Sequence, residues 1–139
     1  MSYSTDLHVV PAPHPGRGTR RLHDPEHPYV DGVWLPVLGP ASYVAWRHLA
    51  RLALASSRAT ISLDALAAAT GLGAPRGQQS PLSRTLRRLG RFDLAHVRDD
   101  NILVRTALPF VTGRQLARLD PTIQAIHRVH RDGTARTAS

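Results

Sequence analysis

The sequence predicts a mainly α-helical domain with one small β-hairpin, and three observations lead there. Between Ser80 and Phe92, Leu82, Leu86, Leu89 and Phe92 recur at intervals of four, three and three, the spacing of one helix face. Arg84, Arg87, Arg88 and Arg91 fall largely elsewhere on the same helix. Directly afterwards, residues 94–98 and 102–105 flank Asp99-Asp100-Asn101, a cluster that tolerates tight backbone conformations, and the pair reads as a hairpin. Upstream, residues 41–55 and 63–70 carry two further apolar patterns of helical period.

The elements follow in order. Residues 1–28 are rich in Pro, His, Gly and Arg, show neither period, and hold few large apolar groups to offset the entropy of ordering, so a flexible arm is expected. Within it Arg17, Arg20 and Arg21 surround Gly16 and Gly18, as in basic arms that lie in a minor groove, or simply form a solvated tail. A domain is expected over residues 29–132. Residues 29–38 are more apolar, and Pro28 and Pro36 argue for an extended lead-in rather than a helix. Gly39-Pro40 then opens a helix over 41–55, with Ala41, Ala45, Leu49, Leu52 and Ala53 at helical spacing.

Ala59-Thr60-Ile61 reads as a short strand, and Ser62 as the cap of a helix over Leu63–Thr70 that Gly71 ends in a left-handed conformation. Ala67 is small enough for a close helix crossing. Gly73, Pro75 and Gly77 make 72–79 a loop. Ser80 and Pro81 then serve as N-cap and first helical residue, where a missing amide donor costs nothing. Beyond the hairpin, residues 107–110 return to the core, Thr112 caps a helix over 113–119, and Asp120-Pro121 starts another that runs to about Asp132. A disordered tail is expected over 133–139.

Composition bounds the function. A chain of 139 residues with 42% hydrophobic content supports one core, and a formal net charge of +8 draws the molecule to a polyanion. All 18 basic side chains are arginine, whose planar fork binds phosphates and guanine edges bidentately; a GC-rich coding bias yields the same preference. The absence of cysteine excludes disulfides, cysteine-based zinc sites and thiol chemistry. With no charged-then-apolar leader and no apolar run near about 20 residues, no membrane partner is expected and a cytoplasmic location is.

Residues 41–110 resemble the winged helix-turn-helix class of bacterial DNA-binding domains, in the order helix, short strand, helix, helix, two-stranded wing. Ser62, Leu66, Ala67 and Gly71 carry the likeness in the first motif helix, Leu82, Leu86 and Leu89 in the second, and residues 94–105 in the wing. The general look is similar to small actinobacterial or actinophage proteins. The resemblance implies a winged helix-turn-helix with additional C-terminal helices, in which residues 81–92 form the recognition helix. Ser83, Arg84 and Arg87 then contact base edges or phosphates, and Arg88 and Arg91 hold phosphates. Arg98 and Arg105 reach the adjacent minor groove or backbone, while Asp99 and Asp100 count against deep insertion of the wing.

The loop at 72–79 is longer than a compact motif uses. Either it sits beside the DNA, with Arg76, Gln78 and Gln79 reaching the backbone, or the second helix does not enter the groove as implied. The expected partner is double-stranded DNA and the expected role transcription regulation or chromosome association near the nucleoid. The competing class is a protein-interaction winged-helix module without direct DNA readout.

A homodimer is expected through Ile123, Ile126, Val129 and His130, the alternative being that this helix folds back near Trp46 and Leu49. No cofactor or metal is expected: His23 with Asp24, Glu26 and His27 in the arm is a weak signal, and His127 with His130, two imidazoles without a nearby carboxylate, form an incomplete site. His127 and His130 can still make their face pH-sensitive. With no phosphate-binding glycine loop of the P-loop type, no nucleophile elbow and Glu26 as the lone glutamate, an enzyme is not expected.

Overall fold

The computed structural model describes residues 6–13, 21–56, 59–73 and 80–137, with side chains placed as far as Gly133. Along the chain come β1 (Asp6–Pro11), a π-helical turn (Val30–Trp34), α1 (Leu35–Leu38), α2 (Pro40–Ala55), β2 (Ala59–Ser62) and α3 (Leu63–Thr70). They are followed by α4 (Pro81–Arg91), β3 (Ala95–Arg98), β4 (Asn101–Val104), α5 (Gly113–Ala117) and α6 (Pro121–Thr137). The architecture is α/β: the strands form one four-stranded mixed sheet in the order β2-β1-β4-β3.

Local chemistry sets most boundaries. Ser62 Oγ accepts the Ala65 amide at 3.0 Å to start α3, and Gly71, at φ 71°, ends it left-handed. Ser80 Oγ accepts the Ser83 amide at 3.1 Å, with Pro81 in the first turn of α4. Thr112 and Gln115 close a reciprocal capping box at α5. The hairpin pairs Arg98 with Asn101 across Asp99-Asp100, and Asp99 takes φ 55°, a conformation a short polar side chain tolerates.

Three expectations are corrected. Asp6–Pro11, assigned to a flexible arm, is an interior strand, antiparallel to β2 and parallel to β4. Leu7 and Val9 point into the core while Asp6 and His8 are exposed, an alternation too short to stand out among prolines and histidines. The lead-in at 29–38 is helical rather than extended. Pro36 follows directly on the π-helical turn, where the Leu35 amide bonds back to the Val30 carbonyl and the ordinary four-residue ladder is already interrupted. At the other end α6 continues through residues 133–137, which were expected to fray.

The core lies between the sheet and α2. Trp46, Leu49, Leu66, Leu82, Leu89, Ile102 and Val9 are all buried in one apolar cluster. Two indoles fill that interior and still satisfy their single donors: Trp46 Nε1 donates to the Arg105 carbonyl and Trp34 Nε1 to the Pro109 carbonyl, each at 2.8 Å. Leu108 continues the core beyond the sheet, and its backbone exchanges hydrogen bonds with His23 at 2.7 and 2.8 Å. The segment around His23 is thereby fixed to the body of the protein.

Candidate nucleic-acid interface

α4 presents two faces. Leu82, Thr85 and Leu89 are buried, while Arg84, Arg87 and Arg91 lie exposed on the far side. Spacings of three and four residues make those three a single stripe. Arg88, at its edge, is also exposed, but its Nε donates to the Leu38 carbonyl at 3.0 Å and its guanidinium lies 5.3 Å from the Phe92 ring centroid. It fastens α4 to α1. Ser83 is half-buried, and its hydroxyl accepts from Ser80 Oγ at 3.0 Å beside the N-cap. Arg76, Gln78 and Gln79, and with them most of the expected loop, lie outside the described residues.

The hairpin arginines divide in the same way. Arg98 is exposed beside the turn. Arg105 is mostly covered, its side chain 18% exposed, and pairs with Asp93 Oδ2. Asp93 also contacts His96 Nε2 at 2.6 Å, and the hydrogen bond from His96, followed by that from Arg105, holds its carboxyl below the usual range. Arg105 is therefore a strut between the end of α4 and the hairpin. Between the two elements a cleft of about 610 Å³ opens. Leu7, Leu63, Leu86 and Val97 make its wall apolar, Ser83 and Arg87 border it from α4, and Asp99 and Asp100 from the hairpin tip.

The structure also assembles a group that spacing did not foretell. His23, His27, Tyr29, Phe110, His127 and His130 form one set of touching rings, drawn from the N-terminal third, the segment after the sheet, and α6. The Tyr29 hydroxyl accepts the Val111 amide at 2.9 Å and pairs with His127 Nδ1 at 2.8 Å. Burial is the main cause lowering the pKa of His23, His27 and His127, reinforced by cationic neighbours. Each half was visible in the sequence as a His pair; their meeting was not, because Tyr29 and His127 are 98 residues apart. Among the described residues no group of three or more His, Asp or Glu is arranged to hold a metal ion. Glu26, one of the two acidic members of the first set, is instead clamped by Arg51 and Arg47 at 2.6 and 2.9 Å, which brings its pKa down to about 2.

Along α6 the expected interface stripe is divided. Ile123 and Ile126 are half-buried against the core, and Ile126 Cγ2 lies 3.5 Å from where a Cβ on Gly32 would stand. His130 is half-buried in the ring cluster and Val129 is 71% exposed.

Comparison with protein-family models, curated proteins and solved structures yields no match. No helix among the described residues is long and apolar enough to cross a membrane.

Proposed function

We propose that the chain binds double-stranded DNA as a winged helix-turn-helix, with α3 and α4 as the motif and the β3–β4 hairpin as the wing. The carrying observation is the exposed stripe of Arg84, Arg87 and Arg91 on a helix whose other face is buried, with Arg98 on the adjoining hairpin. Those four side chains are the phosphate and base contacts of this reading. Arg88 and Arg105 serve it indirectly, by fixing α4 and the hairpin. β1 adds a strand between β2 and β4, which stiffens the base from which the hairpin projects. The role that fits is a transcriptional regulator or chromosome-associated factor of the cytoplasm.

Substituting Arg84 and Arg87 by alanine tests it. Each lost phosphate contact lowers the salt slope of binding by about 1, and a lost base contact costs about 1–3 kcal/mol of discrimination. A double variant that binds duplex DNA as tightly as the parent at physiological salt defeats the assignment.

The cleft between α4 and the hairpin favours a second reading, a protein-interaction module. Its apolar wall and the carboxylates of Asp99 and Asp100 suit a peptide with apolar and basic groups better than a phosphate chain. In that case Val97→Ser abolishes partner binding while the Arg84 and Arg87 substitutions do not.

A further inference from the structure

A second cleft, of about 490 Å³, opens at the ring cluster and shares no lining residue with the first. Arg21, His23, His27 and His130 supply its polar lining, and Leu22 and Val129 are apolar side chains on the same cleft. Among the described residues no carboxylate lines it. Leu22 is 38% and Val129 71% exposed, so both have apolar surface left to cover. The cleft presents polar and apolar surface in about equal measure, so a ligand that fills it must offer both kinds of group.

The imidazole tautomers sharpen its chemistry. His27 Nδ1 accepts the Tyr29 amide at 3.0 Å, so in the neutral ring the hydrogen sits on Nε2 as a donor. His23 Nδ1 faces the Leu108 carbonyl at 2.8 Å and must donate to it, which leaves Nε2 without a hydrogen until the ring takes up a proton. Facing these two rings are Arg21 and Asp24 from the same segment, Tyr29 stacked on His23, and His130 from α6; beyond Tyr29 stand His127, Arg128 and Arg131 of α6. Asp24 is the one anion among them.

We propose that this cleft binds a small organic oxyanion on an apolar body, with Arg21 and the imidazoles of His23 and His27 at the charged end and Leu22 and Val129 at the apolar end. A bound anion beside Arg21 offsets the burial and the cationic neighbour that disfavour a charged imidazole, and a protonated His23 gains an Nε2 donor for it, so binding takes up a proton at His23. Affinity accordingly rises as pH falls through the imidazole range.

Calorimetric titration of the full chain with benzoate, phenyl phosphate, inorganic phosphate and benzyl alcohol tests the proposal without DNA, so its outcome is independent of the DNA reading. Benzoate or phenyl phosphate is expected to bind about tenfold or more tightly than either benzyl alcohol or inorganic phosphate, because only these two offer both ends. The better of the two identifies carboxylate or phosphate as the preferred head. Benzoate, which stays largely ionised throughout, should tighten between about pH 7 and about pH 5. Arg21→Gln, at an exposed position, should cost about tenfold or more, and Val129→Ser should narrow the margin over the headgroup alone. Absence of binding by both organic anions, equal affinity for benzoate and benzyl alcohol, indifference to pH, or an unchanged affinity in Arg21→Gln each overturns it.

Discussion

The outer face of α4 and the ring cluster at α6 are both rich in basic residues, yet they hold their charge in opposite ways. On α4 the cations are arginines, exposed and charged at any accessible pH, above a buried stripe of Leu82, Thr85 and Leu89. At the ring cluster His23 and His127 are buried among rings and His27 half-buried, and burial favours their neutral forms. The first region offers permanent charge to a partner at the cost of little folding energy. The second contributes to folding through packing and hydrogen bonds, and its charge is conditional. Residue type and burial together, rather than net charge, therefore decide which basic groups are available for binding.

The largest expected effect comes from removing what seats the arginine face. Leu89→Ala opens a cavity under α4 and should cost about 2–5 kcal/mol in urea unfolding. A loss well below that range would mean that α4 is loosely held and its arginines poorly oriented. Next comes Tyr29→Phe, which leaves the Val111 amide and His127 without their shared partner and should cost about 1–3 kcal/mol. An unchanged denaturation midpoint there would remove the structural role of the cluster.

Acid sharpens the contrast further. His23, His27 and His127 titrate below the ordinary value of 6.5 when folded, so the unfolded chain takes up protons first. The stability from their neutral forms is complete above about pH 6.5 and is lost as pH falls through that value toward their folded-state values. Asp93 and Glu26 are depressed within the carboxylate range and do not titrate in that window. Thermal unfolding should thus show a falling Tm between about pH 7 and about pH 5, whereas a flat profile would contradict the assignment. The smallest effect belongs to Glu26→Gln: its carboxylate is exposed and its pairs with Arg47 and Arg51 are solvent-screened, so the midpoint should not move measurably.

Legibility in the sequence followed the range of the interactions. Ser62, Gly71, Ser80-Pro81 and Thr112 mark helix ends through bonds to residues a few positions away, and the hairpin turn is equally local. β1 escaped because its order comes from ladders to residues 59–62 and 101–104, neither of which its own composition reveals. The helical lead-in escaped because Pro36 reads locally as a helix breaker, whereas the π-helical turn before it, held by the burial of Val30, Val33 and Trp34, carries the helix through. At the candidate interface the arginine stripe was legible from period alone. The diversion of Arg88 to the Leu38 carbonyl and of Arg105 to Asp93 was not, since both depend on tertiary neighbours. The ring cluster is the extreme case, two histidine pairs joined only by the docking of α6.

That same docking bears on assembly. With Ile123 and Ile126 half-covered by the chain itself, a two-fold interface on α6 would rest largely on Val129, and sedimentation of the parent beside Val129→Asp measures whether that is enough. The central claim is tested most directly by the salt dependence of binding to a random-sequence duplex. If Arg84, Arg87, Arg91 and Arg98 neutralise phosphates, log Kobs should fall against log salt with a slope of about −3 to −4. Binding whose affinity is unmoved by salt, or no binding even at low ionic strength, would contradict it.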